Sequence, residues 1–447
     1  MSAQFLKPGD PGWDEARQAW NLAVDQHPAA IALPASGQDV VDAVSFARGH
    51  GLRIAAQGTG HNAAPLGSLA GTMLVKTTAM RRVSVDPDAK LATAEAGAVW
   101  LDVVEAAAPH GLAALSGTSP DVGVAGYTIG GGISWLGRAH GLAASNVEGI
   151  EVVTADGRLV RADARSETDL FWALRGGGGS FGVVTALELR LFPIADVYAG
   201  QLWWPADEAL PVLRAWRELT QRDLPCEFTS AARLANFPQL PVIPEHLRGR
   251  SFVILFVCHT GTPAEADAIL APLRALTPVT DTIAIIQARE LSHLHMDPEQ
   301  PTPAVGDGAM LASLPAEAID TFVRVAGPEA DTPPLWAELL LLGGEMRRAR
   351  PGSGALAAID AEYQLSAGGR AASPETARVA ESGVAAVLAA MRPWAARQMY
   401  LNLADTRRDP SSFWAPEAYD RLRRIKAAVD PDGLIHANHP VPPYREI

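Results

Sequence analysis

A histidine sits in the middle of a glycine loop, RIAAQGTGHNAAPLG, where Gly58, Gly60 and Gly67 flank His61. Residues without a Cβ let the backbone turn left-handed and come close to a large ligand. The loop from Gln57 to Gly67 contains no Lys or Arg, so its backbone N–H groups must grip any phosphate held there. An imidazole so placed can touch whatever the loop cradles. A second glycine cluster, SGTSPDVGVAGYTIGGG, contains Gly117, Gly123, Gly126, Gly130, Gly131 and Gly132. It does not follow the strand–GxGxxG–helix order, so a Rossmann reading fails on context. A third cluster lies in LRGGGGSFGVVT. Glycines also mark bulges and tight corners of β-rich domains. Three such clusters with a histidine in the first point instead to an extended ligand lined by backbone, a dinucleotide. His293, His295 and Asp297 in LSHLHMDPE have metal-like spacing. No further clustered ligand accompanies them, so the stretch is read as a loop rimming a cleft and no metal is expected.

These loops need strands and helices to hold them. Arg53–Ala56 reads as the strand that feeds the His61 loop, preceded by a helix over Gln38–His50 that Gly51 ends. Trp13–Asp25 suits a helix. Short strands are expected at Ile31–Leu33, Met73–Lys76, Val83–Val85 and Leu91–Glu95, with a helix over Val99–Ala108. Asp156-Gly157 between alternating runs signals a hairpin. Gly182–Phe192 reads as one long strand ended by Pro193. Beyond it the glycine loops vanish. Strands at Gly200–Trp204, Phe252–Cys258, Ile283–Gln287, Leu335–Leu342 and Glu362–Ser366 alternate with amphipathic helices, and Trp203 and Trp204 are read as sheet core. MDPEQPTPAVGDGA is read as a surface loop. The last segment reads as a strand containing Tyr400, a helix and an extended tail.

Composition narrows the class. At 447 residues the chain exceeds one ordinary core. Hydrophobic residues at 48% and charged residues at 19% describe a packed globular protein. A net charge of −13 argues against a nucleic-acid partner. No run of apolar residues is long enough to span a membrane, and the N-terminus lacks a signal-peptide pattern, so a cytoplasmic protein is expected. Cys226 and Cys258 are read as a reduced pair, with a single disulfide left open.

The motifs QGTGH, SGTSPDVGVAGYTIGGG, LFWALRGGGGSFGVVT and the closing YLN…RLRRIKAAVDPDGL…NHP resemble the berberine bridge enzyme-like FAD-linked oxidases. That family belongs to the vanillyl-alcohol oxidase/p-cresol methylhydroxylase (PCMH) flavoprotein superfamily. The resemblance runs through nearly the whole chain, in order. It implies an α+β fold: a PCMH-type FAD-binding domain of two α+β subdomains, and a substrate domain with an antiparallel sheet backed by helices. The expected limits are 1–197 for the N-terminal part of the FAD domain, 198–397 for the substrate domain, and 398–447 for a segment returning to the FAD domain.

The resemblance also implies roles. His61 would bond covalently to the flavin 8α-methyl carbon, which makes the ring more electron-poor. Gln57, Gly58, Thr59, Gly60 and Asn62 would wrap the pyrophosphate. Gly117, Thr118, Ser119, Val122, Gly123 and Gly126 would lie along the ring and ribityl chain. Gly182 and Val184 would meet the adenine, and Asn438 the flavin. The family's G-T-C-P cysteine is Ser119 here, and a serine hydroxyl does not replace a thiolate, so one covalent link is expected. Asn146 matches a family asparagine, but its partner is Ser145 rather than Asp. Val122 stands where valine admits oxygen. Tyr400 is the expected base, with Asn402 on the same face of a strand and Tyr363 and His295 as helpers. The implied activity is oxidation of a hydroxyl- or amine-bearing small molecule, a sugar or secondary metabolite, with O2 reduced to H2O2. A dehydrogenase with another acceptor, and a flavin-binding protein without turnover, are the alternatives.

Overall fold

The computed structural model describes residues 4–241 and 243–445. The first of three sheets contains β1 (Gln4–Leu6), β2 (Ala30–Leu33), β3 (Arg53–Gln57) and β4 (Thr72–Lys76), ordered β1-β2-β4-β3. β4 runs parallel to β2 and to β3, and parallel neighbours need a crossover. The long glycine loop after β3 is such a crossover. The helix Gly37–Gly49 joins β2 to β3; Ser36 accepts Asp39 N–H at its start, and Gly51 follows its end at φ +66°.

The second sheet contains β5 (Val83–Asp86), β6 (Leu91–Glu95), β7 (Val147–Val153), β8 (Leu159–Asp163) and β9 (Val183–Arg190). It is antiparallel, ordered β5-β6-β9-β7-β8. The expected hairpin joins β7 to β8, with Gly157 at φ +87°.

The third sheet contains β10 (Asp196–Pro205), β11 (Phe228–Asn236), β12 (Ser251–His259), β13 (Thr280–Asp281), β14 (Ala284–Gln287), β15 (Ala304–Leu311), β16 (Trp336–Leu341) and β17 (Tyr363–Arg370). Its antiparallel path is β13-β10-β12-β11-β16-β17-β15, with β14 beside β10. Side chains alternate across each strand. One face, with Trp204, Phe228 and Tyr363, packs on helices Ala209–Thr220, Ala316–Ala326 and Pro374–Met391. The other face, with Ala231, Phe256 and Leu340, shares a core with the second sheet and with Tyr400, Phe413 and Leu422 of the C-terminal segment. The fold is α+β.

Several elements differ from expectation. The helix expected over Trp13–Asp25 lasts one turn, Trp13–Ala16. The chain leaves it because Trp20 N–H bonds Thr59 O at 2.9 Å, which brings the indole to the glycine loop. β11 was not foreseen, and β15 begins inside the Pro-rich stretch read as a loop. Tyr400 is not in a strand; it precedes a 3-10 turn, Leu401–Leu403. Residue 198 lies inside β10. Cys226 and Cys258 are free thiols, and burial pushes that of Cys258 up to about 12. No helix among the described residues is long and apolar enough to cross a membrane.

Candidate active site

β3 delivers the chain to Gln57, and the turn beyond it requires Gly60 at φ +87°, where an added Cβ would stand 2.9 Å from that of Ala19. His61 is then held on three sides. Its Nδ1 lies 2.8 Å from Thr59 Oγ1, and its ring stacks on Trp20 at 4.1 Å. Its Nε2 lies 3.4 Å from Asp121 Oδ1, and neither atom has a hydrogen-bond partner although both are buried. Trp20 Nε1 donates to the other oxygen of Asp121. Buried polar atoms ordinarily find partners. An orphaned imidazole nitrogen beside an orphaned carboxylate oxygen, on glycine loops, fits a site built to receive a flavin.

The second glycine loop abuts the first: a Cβ on Gly123 would lie 3.4 Å from Thr59 Oγ1. Gly117 passes under Tyr127, where a Cβ would meet the ring at 2.9 Å. Gly126 faces open space, and Thr118, Ser119 and Val122 are half-buried beside it. Gln57 differs from expectation in its side chain, which donates to Gln26 Oε1 at 3.0 Å and accepts from Lys76 Nζ at 2.9 Å. Only its backbone is left for a ligand. Lys76, unsuspected from sequence, therefore puts a cation under the loop. Burial pushes its amine down to about 8. The available signal was a lysine ending a fully buried strand, TMLVK. Gly182 has a packing reason of its own, since a Cβ there would meet Val152 Cγ2 at 2.6 Å, and Val184 pairs with Val152 across the sheet. Asn146 braces its loop by donating to Leu142 O at 2.9 Å.

The C-terminal segment is stitched to this loop through Asn62, which donates to Ala404 O at 3.1 Å and Asp405 Oδ1 at 3.0 Å and accepts from Asn438 Nδ2. Tyr400 and Asn402 do meet, through the 3-10 turn. The Tyr400 oxygen accepts from Gly132 N–H at 2.8 Å, Ile133 N–H at 3.1 Å and Asn402 Nδ2 at 2.9 Å. A Cβ on Gly130 would collide with Asn402 Oδ1, so the glycines make room for this pair. Burial pushes the phenol well above its ordinary range, outweighing the three donors.

A polar wall stands on the face of the third sheet turned toward these loops. Arg233 on β11 and Glu338 on β16 are register partners, with Nε donating to Oε2 at 2.9 Å. His295 joins them, its Nδ1 3.2 Å from Arg233 Nη2 and its unpartnered Nε2 3.4 Å from Glu338 Oε2. Asp297 lies 3.7 Å from Arg233 and accepts from Ser119 Oγ at 2.7 Å, which links the wall to the glycine loop. Burial would raise the Asp297 carboxyl, but His295, Arg233 and Ser119 outweigh it and hold it well below the usual carboxylate range. Tyr363 is not a helper here: it lies on the helical side of the sheet, bonded to Thr220 Oγ1 at 2.8 Å. His293 turns to Glu299 instead of converging with His295, and among the described residues no three ligating side chains gather as a metal site.

Comparison with known proteins points the same way. An FAD binding domain profile matches residues 28–163, and a berberine and berberine-like profile matches residues 399–442. The chain is similar over its length to the berberine bridge enzyme-like FAD-linked oxidoreductases. It is 29% identical to (R)-6-hydroxynicotine oxidase of Paenarthrobacter nicotinovorans over 99% of this chain and 97% of that one. It is 36% identical to glucooligosaccharide oxidase of Sarocladium strictum over 51% of this chain and 46% of that one. The crystal structure of 6-hydroxy-D-nicotine oxidase from Arthrobacter nicotinovorans superposes with a TM-score of 0.81, 26% identity and 98% coverage of both chains. The protein is an FAD-linked oxidoreductase.

Proposed function

We propose that this oxidoreductase is an oxidase that takes a hydride from a small amine, with its flavin bonded once, to His61. The observation that carries the substrate class is the polar wall. Two carboxylates, Glu338 and Asp297, face one guanidinium, that of Arg233. Such a wall favours a ligand that brings a positive charge. Tyr400 supports the same choice. Alcohol oxidation needs a group that accepts the hydroxyl proton, and the Tyr400 phenol keeps its proton at neutral pH. An amine in its free-base form needs no such base. The wall would gather the ammonium form, and the free base in equilibrium with it would give the hydride.

When bound, FAD accepts the hydride from the carbon beside the nitrogen and passes two electrons to O2, giving H2O2. Backbone of Gln57, Gly58, Thr59, Gly60 and Asn62 would hold its phosphates. Gly117, Thr118, Gly123 and Gly126 would line its ring and ribityl chain, with Asn438 beside them and Gly182 and Val184 at the adenine end. The Ser119 hydroxyl is committed to Asp297 and offers no thiolate for a second bond. Val122 would leave room for oxygen. Tyr400 and Asn402 would shape the chamber opposite the wall.

A second reading is a sugar hydroxyl as the hydride donor, supported by the 36% identity with glucooligosaccharide oxidase over half of the chain. Acid precipitation followed by a peroxide screen tests both. Yellow pellets with peroxide released from cyclic amines support the proposal. Peroxide from sugars alone replaces amine with alcohol. Flavin bleaching without peroxide makes the protein a dehydrogenase, and no bleaching by either panel leaves a flavin-binding protein.

A further inference from the structure

A cavity of about 530 Å³ opens at the far end of the first sheet from His61. β3 starts at Arg53 and reaches the His61 loop after Gln57, roughly 13 Å along a strand. The glycine loop must return over that distance to begin β4, and it brings Leu66 and Leu69 to the cavity. The C-terminal segment runs beside β3 here, with Ile54 N–H bonded to Leu434 O at 2.8 Å and His436 N–H to Ile54 O at 2.7 Å. None of residues 57–62, 117–126 or 182–184 lines the cavity, so it is distinct from the residues proposed to hold the flavin, although the first glycine loop runs on to it.

Its polar lining is cationic. Arg53, Arg407, Lys426 and His436 all face it, and no carboxylate does among the described residues. Lys426 is already compensated, by Asp430, Ser180 O and Ile435 O. The two arginines are not. Arg53 makes one side-chain hydrogen bond, to His436 Nδ1 at 3.3 Å, and Arg407 makes one, from Nε to Pro65 O at 3.0 Å. A guanidinium only donates, so His436 accepts from Arg53 on Nδ1 and donates from Nε2 to Leu66 O at 3.2 Å. The neutral ring thereby aims Arg53. Burial lowers the His436 pKa first, and Arg53, Arg407 and Lys426 lower it further, which places all three positive charges near one imidazole. Two exposed guanidinium groups line one cavity with no counter-ion among the described residues, in a chain whose net charge is −13.

We infer that this cavity binds a phosphorylated small organic molecule, its phosphate held by Arg53 and Arg407. Arginine forks match phosphate oxygens bidentately. Ser68 adds a hydroxyl, Leu66, Leu69 and Val441 supply apolar lining, and the volume lies in the range of small-molecule sites and exceeds what a bare anion fills.

Isothermal titration of the flavin-loaded protein with phenyl phosphate, and separately with inorganic phosphate, tests this. One equivalent of phenyl phosphate should bind, more tightly than inorganic phosphate. Arg53→Ala and Arg407→Ala should each weaken it about tenfold or more, while the flavin spectrum and the melting temperature stay as in the parent protein. Arg407→Lys should weaken it less than Arg407→Ala. Absence of binding up to about 10 mM, or unchanged affinity in the Arg53→Ala/Arg407→Ala double variant, overturns the site. Equal affinity for the two probes overturns the organic ligand.

Discussion

Asp405 carries the most quantitative prediction. Its carboxyl is enclosed between the His61 loop and β15, with Asn62 donating to it and Asp307 close by. Burial, and then the negative charge of Asp307, push its pKa up to about 7 against the Asn62 hydrogen bond, from an ordinary 3.8. The folded protein therefore keeps this proton to higher pH than the unfolded chain does. Between about pH 4 and pH 7 the folded state binds more protons, so stability falls as pH rises through that window and stays lowered above it. The full shift corresponds to about 4 kcal/mol. From pH 5 to pH 8 the loss is roughly 2.5 kcal/mol. Asp405→Asn keeps the oxygen that accepts from Asn62 and removes the ionisation. Its stability relative to the parent should rise by roughly that 2.5 kcal/mol between pH 5 and pH 8, or about 3 °C in melting temperature for a cooperative unit of this size. Thermal melts of both proteins at the two pH values measure it. A gap between them that does not change with pH would refute the placement of a protonated carboxyl at Asp405.

Three further outcomes follow from the site. His61→Ala should release the flavin into the supernatant on acid precipitation, while the parent pellet stays yellow; absorbance of the two fractions decides. Glu338→Gln removes one negative charge from the wall 2.9 Å from Arg233, and should raise the KM for an amine substrate about tenfold, about 1.4 kcal/mol, while a neutral sugar is unaffected. Steady-state peroxide assays with both substrate types show the contrast. Gly130→Ala places a methyl against Asn402 Oδ1 and should displace the Tyr400–Asn402 pair, lowering turnover by tenfold or more with the covalent flavin fraction retained.

Much of the architecture was legible because local chemistry determined it. Gly51 ended a helix, Asp156-Gly157 made a hairpin, and the run from Gly182 made a strand, each through preferences of a few neighbouring residues. β11 escaped notice because TSAARLAN lacks a β-branched, alternating pattern, and it became a strand through neighbours on both sides, β12 and β16. The helix expected after Trp13 was broken by a contact with Thr59, some forty residues away. A local pattern carries no record of such a partner.

The site divides the same way. The sequence by itself determined the glycine loops, His61 within the first of them, and the serine in place of a cysteine, since each is a matter of residue type and spacing along one stretch. Only the tertiary structure decided that Asp121 and Trp20 clamp His61, that Lys76 lies beneath Gln57, and that Tyr400 is enclosed by three N–H donors. It also separated Tyr363 from His295, placing one among the helices and the other on the wall with Arg233 and Glu338. Strand alternation assigns each residue to one of two faces, but which face meets the glycine loops depends on how the third sheet packs on the second, and that follows from the summed burial of both cores rather than from any one segment.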